Sequence, residues 1–392
     1  MSGFTIGIEE EYFLVDAVTY EIANATSDCL FEAADLATAG SIKREFLQAQ
    51  VEVVTRPHAS VADARAEMAE MRLELERSSN KRGLALLAAG THPSARWVDA
   101  NASPGRRYEK VMDSLQMIGR RNMLCGTHVH VELPDPDRRV DVMSRMLPYL
   151  PLLLALSTSS PFWQGQRTGL KGYRLAAYDE LPRTGVPELL RTKAEYDAYV
   201  AALVGARAIP DASHIWWAIR PSLAHPTLEL RALDCCTRLD DTLALAALYR
   251  ALAHHLFHNP LHNSHIDPIG RAIANENQWR AKRYGATATF IVGGGASTAA
   301  ELLDEVIELV AADADTLECL DEVLHCRQVV ARGTSADEQI GVYDRHEHEG
   351  HCNALAHVAR WLVETTADSA RMCAGSFFSA SPQTHVDSPT IA

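Results

Sequence analysis

The chain has 392 residues, of which 47% are hydrophobic and 22% are charged, and its formal net charge is −14 at pH 7. A chain of this length can bury a large core, either as one large domain or as two ordinary ones. The acidic balance argues against a nucleic-acid partner, because nucleic-acid phosphates attract basic surfaces. The acidic balance does not exclude ATP as a ligand, since a local site can be positively charged although the whole chain is negative.

The sequence predicts a cytoplasmic protein. Its most apolar run, MLPYLPLLLALS at 146–157, is shorter than the roughly 20 residues that a membrane span needs, and it contains Pro148 and Pro151. The first residues lead directly into a strand pattern, with no basic and apolar leader before it. Eight cysteines without CxxC spacing indicate buried thiols in a reducing compartment.

The segment TIGIEEEYFLVD, residues 5–16, predicts a strand with three consecutive carboxylates. Alternate side chains of a strand point to opposite faces, so Glu9 and Glu11 share one face and Glu10 shares the other with apolar residues. Two like charges on one buried face need a positive partner between them. A divalent cation is the expected partner, and a solvated edge strand is the alternative. The pattern gives no role to Glu10.

The rest of the chain predicts an α+β fold. Strands are expected at 43–55, 84–90, 125–133, 214–220 and 227–233, and helices at 61–81, 108–121, 139–157, 193–204, 242–257, 299–312, 315–327 and 353–366. A capping box of Ser60 and Asp63 opens the first helix, and prolines bend the third.

Several of the predicted strands carry polar residues on one face only. This pattern favours a mostly antiparallel sheet with helices packed on its other side. We expect one domain over residues 1–370 and a flexible tail at 371–392.

Three further predicted strands repeat the alternation of ionisable and apolar residues. They carry Glu52, the pair His128 and His130, and the pair Glu229 and Arg231. If the four strands share a sheet, one face is lined by carboxylates, imidazoles and a guanidinium. Mg²⁺ takes oxygen ligands together with substrate phosphates, so this face suits a metal–nucleotide site. The histidines are open to a metal, nucleotide or substrate role, or to a hydrogen-bonded place in the core.

Glu45 lies an odd number of residues before Glu52, so a bend or bulge is needed to bring both to one side. Further cations for phosphates are expected in two segments and beside the last strand: Arg167 and Arg174 in the Gly-rich loop 160–174, Arg220, and Trp279, Arg280 and Arg283 in 277–285. Solvated surface charge is the alternative for each. The histidine-rich segments 254–265 and 346–351 are interpreted as structural.

Six segments in order resemble the carboxylate–amine ligases of the type-2 glutamate–cysteine ligase family. They are GIEEEYFLVD, CGTHVHVEL, SPFWQGQRTGLKGYR, RPSLAHPTLELRALD, NQWRAKRYG and GTSADEQ. The resemblance covers residues 5 to about 345. It implies a curved, mostly antiparallel sheet that forms a funnel flanked by helices, like the catalytic domain of glutamine synthetase.

The resemblance also implies an activity. ATP drives the joining of a carboxylate, by default the γ-carboxyl of glutamate, to an amine, by default that of cysteine. The reaction passes through an acyl phosphate and releases ADP and phosphate. The cofactor implied is Mg²⁺ or Mn²⁺, with ATP as co-substrate, and the partners are these small molecules alone, without nucleic acid or membrane. Family habit suggests a homodimer or a larger homo-oligomer.

The resemblance assigns roles residue by residue. The metal ligands it implies are Glu9, Glu11, Glu52, His128 and Glu229. Arg231 and Glu229 are the implied catalytic residues, with Arg231 facing the transferred phosphate or the carboxylate substrate. Substrate or nucleotide binding is expected for Glu45, His130, Arg167, Arg174, Arg220, Trp279, Arg280 and Arg283. The resemblance also implies that basic loops at 167–174 and 277–283 lie at the substrate and nucleotide mouth. One departure is Glu338 in GTSADEQ, where the family pattern has arginine.

Two other functions remain open on the sequence. A guanidino or amine phosphotransferase could use the same fold and the same metal–nucleotide face. A relative without catalytic activity could keep the face for binding nucleotide or another ligand.

Overall fold

The computed structural model of the protein describes residues 3–24, 40–105 and 113–379. Its strands are β1 Ile6–Asp16, β2 Ser41–Arg44, β3 Gln50–Val54, β4 Leu84–Leu87, β5 Gly126–Glu132, β6 Phe162–Trp163, β7 Gln166–Arg167, β8 Ile219–Pro221, β9 Thr227–Asp234, β10 Thr289–Val292 and β11 Gly295–Thr298.

Seven of these strands form one sheet around β1. The strand order is β2-β3-β1-β5-β9-β8, and β4 also pairs with β1. Every pairing described in this sheet is antiparallel. Two small ribbons, β6 with β7 and β10 with β11, stand apart from it. The predicted antiparallel α+β fold is confirmed.

The described chain also contains twelve α-helices. They are α1 Val61–Asn80, α2 Met117–Arg120, α3 Arg139–Met146, α4 Leu150–Ser157, α5 Tyr173–Tyr178, α6 Lys193–Gly205, α7 Leu239–His258, α8 Pro268–Tyr284, α9 Ala299–Thr316, α10 Leu320–Arg332, α11 Ser335–His346 and α12 His351–Ser379. Short 3-10 turns lie at Trp97–Asp99, Pro136–Arg138, Leu147–Tyr149, Ala212–His214, Gly285–Thr287 and Glu347–Glu349.

The two faces of β1 have different surroundings, as the alternation predicts. Ile6, Ile8, Glu10 and Tyr12 are fully buried, whereas Glu9 and Glu11 are half-buried. Residues of α1 and α7 contact the buried face. Helices therefore cover one face of the sheet and leave the carboxylates of the other face partly accessible.

The apolar segment 136–157 belongs to the core. It is long and apolar enough to cross a membrane, but 89% of its most apolar window is buried inside the protein, as is typical of a core helix. A 3-10 turn at Leu147–Tyr149 divides it into α3 and α4 beside Pro148 and Pro151. The expected single helix is thus interrupted at the prolines.

Several boundaries differ from the prediction. The single strand expected at 43–55 is wrong, because residues 45–49 turn the chain between β2 and β3. The segment 277–283, which the resemblance implies is a loop, instead lies in the last turns of α8. The helix expected at 108–121 lies partly on 106–112, outside the described residues, and α2 is its described part.

The C-terminal part of the chain is also more helical than expected. Helices α8 and α11 and the β10–β11 ribbon have no counterpart among the predicted elements. Residues 371–379, expected to begin a flexible tail, continue α12. The remainder of the predicted tail lies outside the described residues.

Candidate active site

The strand register brings the predicted carboxylates and the first histidine together. Glu9 lies opposite His128 of β5, and Glu11 lies opposite Glu52 of β3. Nδ1 of His128 is 3.2 Å from Oε2 of Glu9. Oε2 of Glu11 accepts a hydrogen bond from the backbone N–H of Gly126 at 2.6 Å. One face of the sheet, which we call the polar face, therefore carries these four side chains.

Three overlapping groups on the polar face have the donor atoms of a metal site. In each group the three ligand atoms lie within 4.8 Å of one another. The groups are Glu9, Glu52 and His128; Glu11, Glu45 and Glu52; and Glu9, His130 and Glu229. Because Glu9 and Glu52 each belong to two groups, neighbouring cations could share them.

The electrostatics of the polar face favour a cation. Burial, and then the nearby charges of Glu45, Glu9 and Glu11, raise the pKa of Glu52 well above its ordinary value. Burial also acts to raise the pKa of Glu9, but hydrogen bonds with His128 and with a second histidine outweigh it, and the pKa is lowered. The face therefore concentrates negative charge that the described side chains only partly offset.

The histidines also fit a metal. The buried Nε2 of His128 has no hydrogen-bond partner among the described residues, and a buried polar atom of this kind normally has one. Burial is the main cause that lowers the pKa of His128, which favours the neutral imidazole that can bind a metal. Nε2 of His130 lies 3.4 Å from Oε1 of Glu9. These residues thus fit a divalent cation.

Glu229 holds two arginines beside the carboxylates. Nε of Arg220 donates to its Oε2 at 2.8 Å, and Nη1 of Arg231 donates to its Oε1. Burial raises the pKa of Glu229, but Arg231 and Arg220 outweigh burial and hold the pKa far below its ordinary range. Both oxygens of Glu229 already accept from guanidinium groups, so a role as metal ligand would compete with the arginines.

Arg231 is positioned by a residue that the sequence did not reveal. Its Nη2 lies 3.2 Å from the hydroxyl oxygen of Tyr178, in α5. Its Nε is buried without a hydrogen-bond partner in the described part of the chain. Tyr178 lies 53 residues before Arg231 in the chain, so no local spacing in the sequence could have linked the two.

Glu45 reaches the polar face through the turn between β2 and β3. It follows β2 directly, and the backbone N–H of Phe46 donates to its Oε2 at 2.8 Å. The hairpin folds Glu45 back beside Glu52. The bend that the spacing required is therefore present, as a turn between two strands.

The guanidinium of Arg174 donates hydrogen bonds to backbone carbonyls next to the polar face. It is buried, and its Nη1 donates to the carbonyls of Leu233 at 3.0 Å and of Arg231 at 3.3 Å. A Cβ on Gly126 would collide with its Nη2, so Gly126 leaves room for the guanidinium. Arg174 thus fixes β9 at the edge of the site, and a nucleotide-binding role stays a prediction.

The other basic candidates are engaged elsewhere. Arg167 pairs with Asp344 at 3.0 Å, and Nε of Arg280 donates to the carbonyl of Thr289 at 2.6 Å. Trp279 is 50% exposed on α8, and the exposed Arg283 stacks on its neighbour Tyr284. The structure does not join these four residues to the groups on the polar face, because Arg167 lies in the β6–β7 ribbon and the other three lie on α8.

Two glutamates left open by the sequence have structural partners. Glu10 accepts from Nη2 of Arg72 at 2.8 Å and from Oγ1 of Thr242 at 2.6 Å, which ties β1 to α1 and α7. Glu338 pairs with Arg238 at 2.9 Å and lies 3.3 Å from Nε of Arg332. The acidic residue at 338 therefore balances two arginines of the helical layer.

Comparisons with known proteins show the family of the chain. A family model described as glutamate–cysteine ligase family 2 matches residues 5–357. The chain belongs to this family. Membership confirms the resemblance carried by the six motifs, and it makes the chain an ATP-dependent carboxylate–amine ligase.

Relatives match over most of their length. "Putative glutamate--cysteine ligase 2" of Bradyrhizobium sp. (strain ORS 278) is 52% identical over 367 residues, which cover 94% of this chain and 89% of that protein. The protein of the same name from Rhodospirillum rubrum is 43% identical over 346 residues, which cover 87% of this chain and 89% of that protein.

Solved structures share the fold at low sequence identity. Glutamate–cysteine ligase of Francisella tularensis, solved in complex with AMP, has a TM-score of 0.67 and 15% identity, and the match covers 96% of this chain and 94% of that one. The bifunctional glutathione synthetase of Pasteurella multocida has a TM-score of 0.69 and 13% identity, and the match covers 96% of this chain and 53% of that one.

Proposed function

We propose that this ligase joins the γ-carboxyl of glutamate, or a similar carboxylate, to cysteine or a similar amine at the polar face. The observation that supports it is the convergence of Glu9, Glu11 and Glu52 with the buried imidazole of His128. Their mutual repulsion would disfavour this arrangement in a protein that did not bind a cation there. A metal–nucleotide site would explain why these carboxylates are held together despite their repulsion.

We propose that Glu9, Glu11, Glu52 and His128 hold Mg²⁺ or Mn²⁺ together with the phosphates of ATP. A bound divalent cation would neutralise the charge that develops on the phosphates. The four side chains sit on paired strands, so the sheet fixes their spacing before the ligands arrive.

The proposed reaction has two steps. An oxygen of the substrate carboxylate attacks the γ-phosphorus of ATP, the bond to the bridging oxygen breaks, and ADP leaves with the electron pair. The amine nitrogen then attacks the carbonyl carbon of the acyl phosphate, loses its proton to solvent and expels phosphate. Arg231, held by Glu229 and Tyr178, supplies positive charge for the transferred phosphoryl group in a buried setting where the attraction is strong.

The domain bounds, the cellular compartment and the oligomeric state belong to the same proposal. We place one catalytic domain over residues 1–370, in the cytoplasm, as a homo-oligomer whose ligands are small molecules. Glu45, His130 and Arg220 border the polar face and are the proposed contacts for substrate or nucleotide. Sedimentation of the purified protein measures the assembly directly.

A coupled ADP-release screen tests the activity. Carboxylates are paired with amines in the presence of ATP and Mg²⁺, and mass spectrometry identifies the product. We expect an amide together with free phosphate, and loss of turnover in E9Q but not in E364Q, a change in an exposed ion pair on α12. A phosphorylated small molecule without free phosphate would instead indicate a phosphotransferase. Binding of Mg·ATP without any turnover would indicate a binding protein.

A further inference from the structure

A second group of metal-binding side chains lies where α11 passes into α12. His346 is the last residue of α11, Glu349 belongs to the 3-10 turn that follows, and His357 lies in the second turn of α12. One ligand atom from each lies within 4.8 Å of the other two. The residues of the proposed ligase site come from the sheet, so this group is separate from it.

The three side chains are arranged around the carboxylate of Glu349. Nδ1 of His346 lies 2.7 Å from Oε1, and Nε2 of His357 lies 3.0 Å from Oε2. The two imidazole rings stack with their centroids 3.7 Å apart and their planes at 12°. Each carboxylate oxygen therefore faces one ring nitrogen. A tilt of the stacked rings would direct both nitrogen lone pairs, which lie in the ring planes, at one ion beside the carboxylate.

The backbone prepares this arrangement before any ligand binds. Gly350 has a φ of +98°, a conformation that residues with a side chain rarely adopt. It turns the chain so that α12 brings His357 back to Glu349, eight residues earlier. Nδ2 of Asn353 donates to the carbonyl of Glu349 at 2.8 Å, which holds the turn.

The junction is also fastened to its surroundings. Nδ1 of His351 lies 2.8 Å from the hydroxyl of Tyr343, and its Nε2 lies 2.6 Å from the carbonyl oxygen of Gly165, between β6 and β7. The neighbouring histidine thus already has partners on both ring nitrogens. His346 and His357 are the histidines that hydrogen-bond to the carboxylate of Glu349, while Nε2 of the more exposed His348 lies 3.9 Å from Oε1.

We propose that His346, Glu349 and His357 bind a divalent transition metal of the zinc class. Two imidazoles and one carboxylate are typical zinc ligands, whereas Mg²⁺ prefers oxygen ligands alone. Three protein ligands leave a fourth position for water, and the half-exposed side chains give the ion access from solvent. The bound ion would join the end of α11 to the start of α12.

Metal binding by purified, tag-free protein tests the proposal. The protein is dialysed against Zn²⁺ with excess Mg²⁺, so that the oxygen-rich polar face is occupied by Mg²⁺. We expect wild type to hold one more zinc per chain than the H346A/H357A variant, whose zinc Kd at this site should be at least tenfold weaker. The matched control is H265A, which removes an exposed histidine outside the group and should bind as wild type does. Equal zinc in wild type and H346A/H357A would overturn the proposal.

A second variant keeps the test decisive if the double variant folds poorly. E349Q preserves the size of the side chain and removes the negative charge that a metal needs. Zinc should raise the Tm of wild type and H265A but not that of E349Q, while ADP release with Mg²⁺ stays within twofold in all three. A zinc-dependent rise in Tm of the same size in E349Q would contradict the site. If wild type released no ADP at all, that result would count against the ligase assignment and leave the zinc site unaffected.

Discussion

Glu10 and Glu9 are neighbours in sequence, yet replacing them should have opposite consequences. Glu10 is fully buried and accepts hydrogen bonds from Arg72, Thr242 and Tyr12. In E10Q the guanidinium of Arg72 stays buried without its counter-charge. Glu9 faces the polar side, so E9Q should remove activity and leave the fold intact.

The structure sets the size of the loss. Removing one partner of a buried ion pair costs about 3–5 kcal/mol, out of a total stability of roughly 5–15 kcal/mol. Arg72 keeps its bonds to the carbonyls of Cys236 and Thr237, both at 3.1 Å, which favours the lower end. At a urea slope of ~3 kcal/mol per M, the unfolding midpoint should fall by about 1 M.

Urea unfolding followed by tryptophan fluorescence measures this midpoint. The control is E364Q, because Glu364 pairs with Arg360 where both side chains are more than half exposed, and solvent-exposed pairs contribute little to stability. The E10Q/R72M double variant should recover part of the loss, since it leaves no buried charge unpaired. An E10Q midpoint no lower than that of E364Q would refute this account of Glu10.

Three further predictions follow from the site and the core. R231A should lower kcat in the ADP-release assay by about 10²–10³-fold, whereas R167A, which removes a surface ion pair, should stay within about twofold. Burial lowers the pKa of His92 from 6.5 to about 4, so the unfolded state binds more protons below pH 6.5. Stability from His92 is therefore complete above pH 6.5 and is lost as the pH falls to about 4. Urea unfolding should show wild type losing about 3 kcal/mol more than H92N across that range. Mg²⁺ with ATP should raise the Tm of wild type more than that of E52Q, and E52Q without metal should be at least as stable as wild type because it removes like-charge repulsion.

The alternation of residues predicted much of the polar face correctly. A strand has a period of two, so the shared side of Glu9 and Glu11 and that of His128 and His130 could be read from spacing alone. The register that places Glu9 opposite His128 could not, because it depends on which strands pair and where. The turn that returns Glu45 to Glu52 has no glycine or proline to mark it.

The other site and helix assignments depended on contacts between residues that are far apart in the sequence. Arg72 is 62 residues from Glu10, and the only local signal was a charged residue on the apolar face of α1. The segment 277–285 resembles a basic loop, but it ends a 17-residue helix whose register decides where each arginine points. The capping box of Thr334 at the start of α11 was a readable signal for that helix.

The transfer of an oxygen atom tests the central claim most directly. The carboxylate identified by the ADP-release screen is labelled with oxygen-18 and incubated with ATP, Mg²⁺ and the amine, and the released phosphate is analysed by mass spectrometry. Attack of the carboxylate on the γ-phosphorus predicts one labelled oxygen in each phosphate, with label transfer abolished in E9Q. Unlabelled phosphate from wild type, or full label transfer in E9Q, would contradict an acyl-phosphate ligase at the polar face.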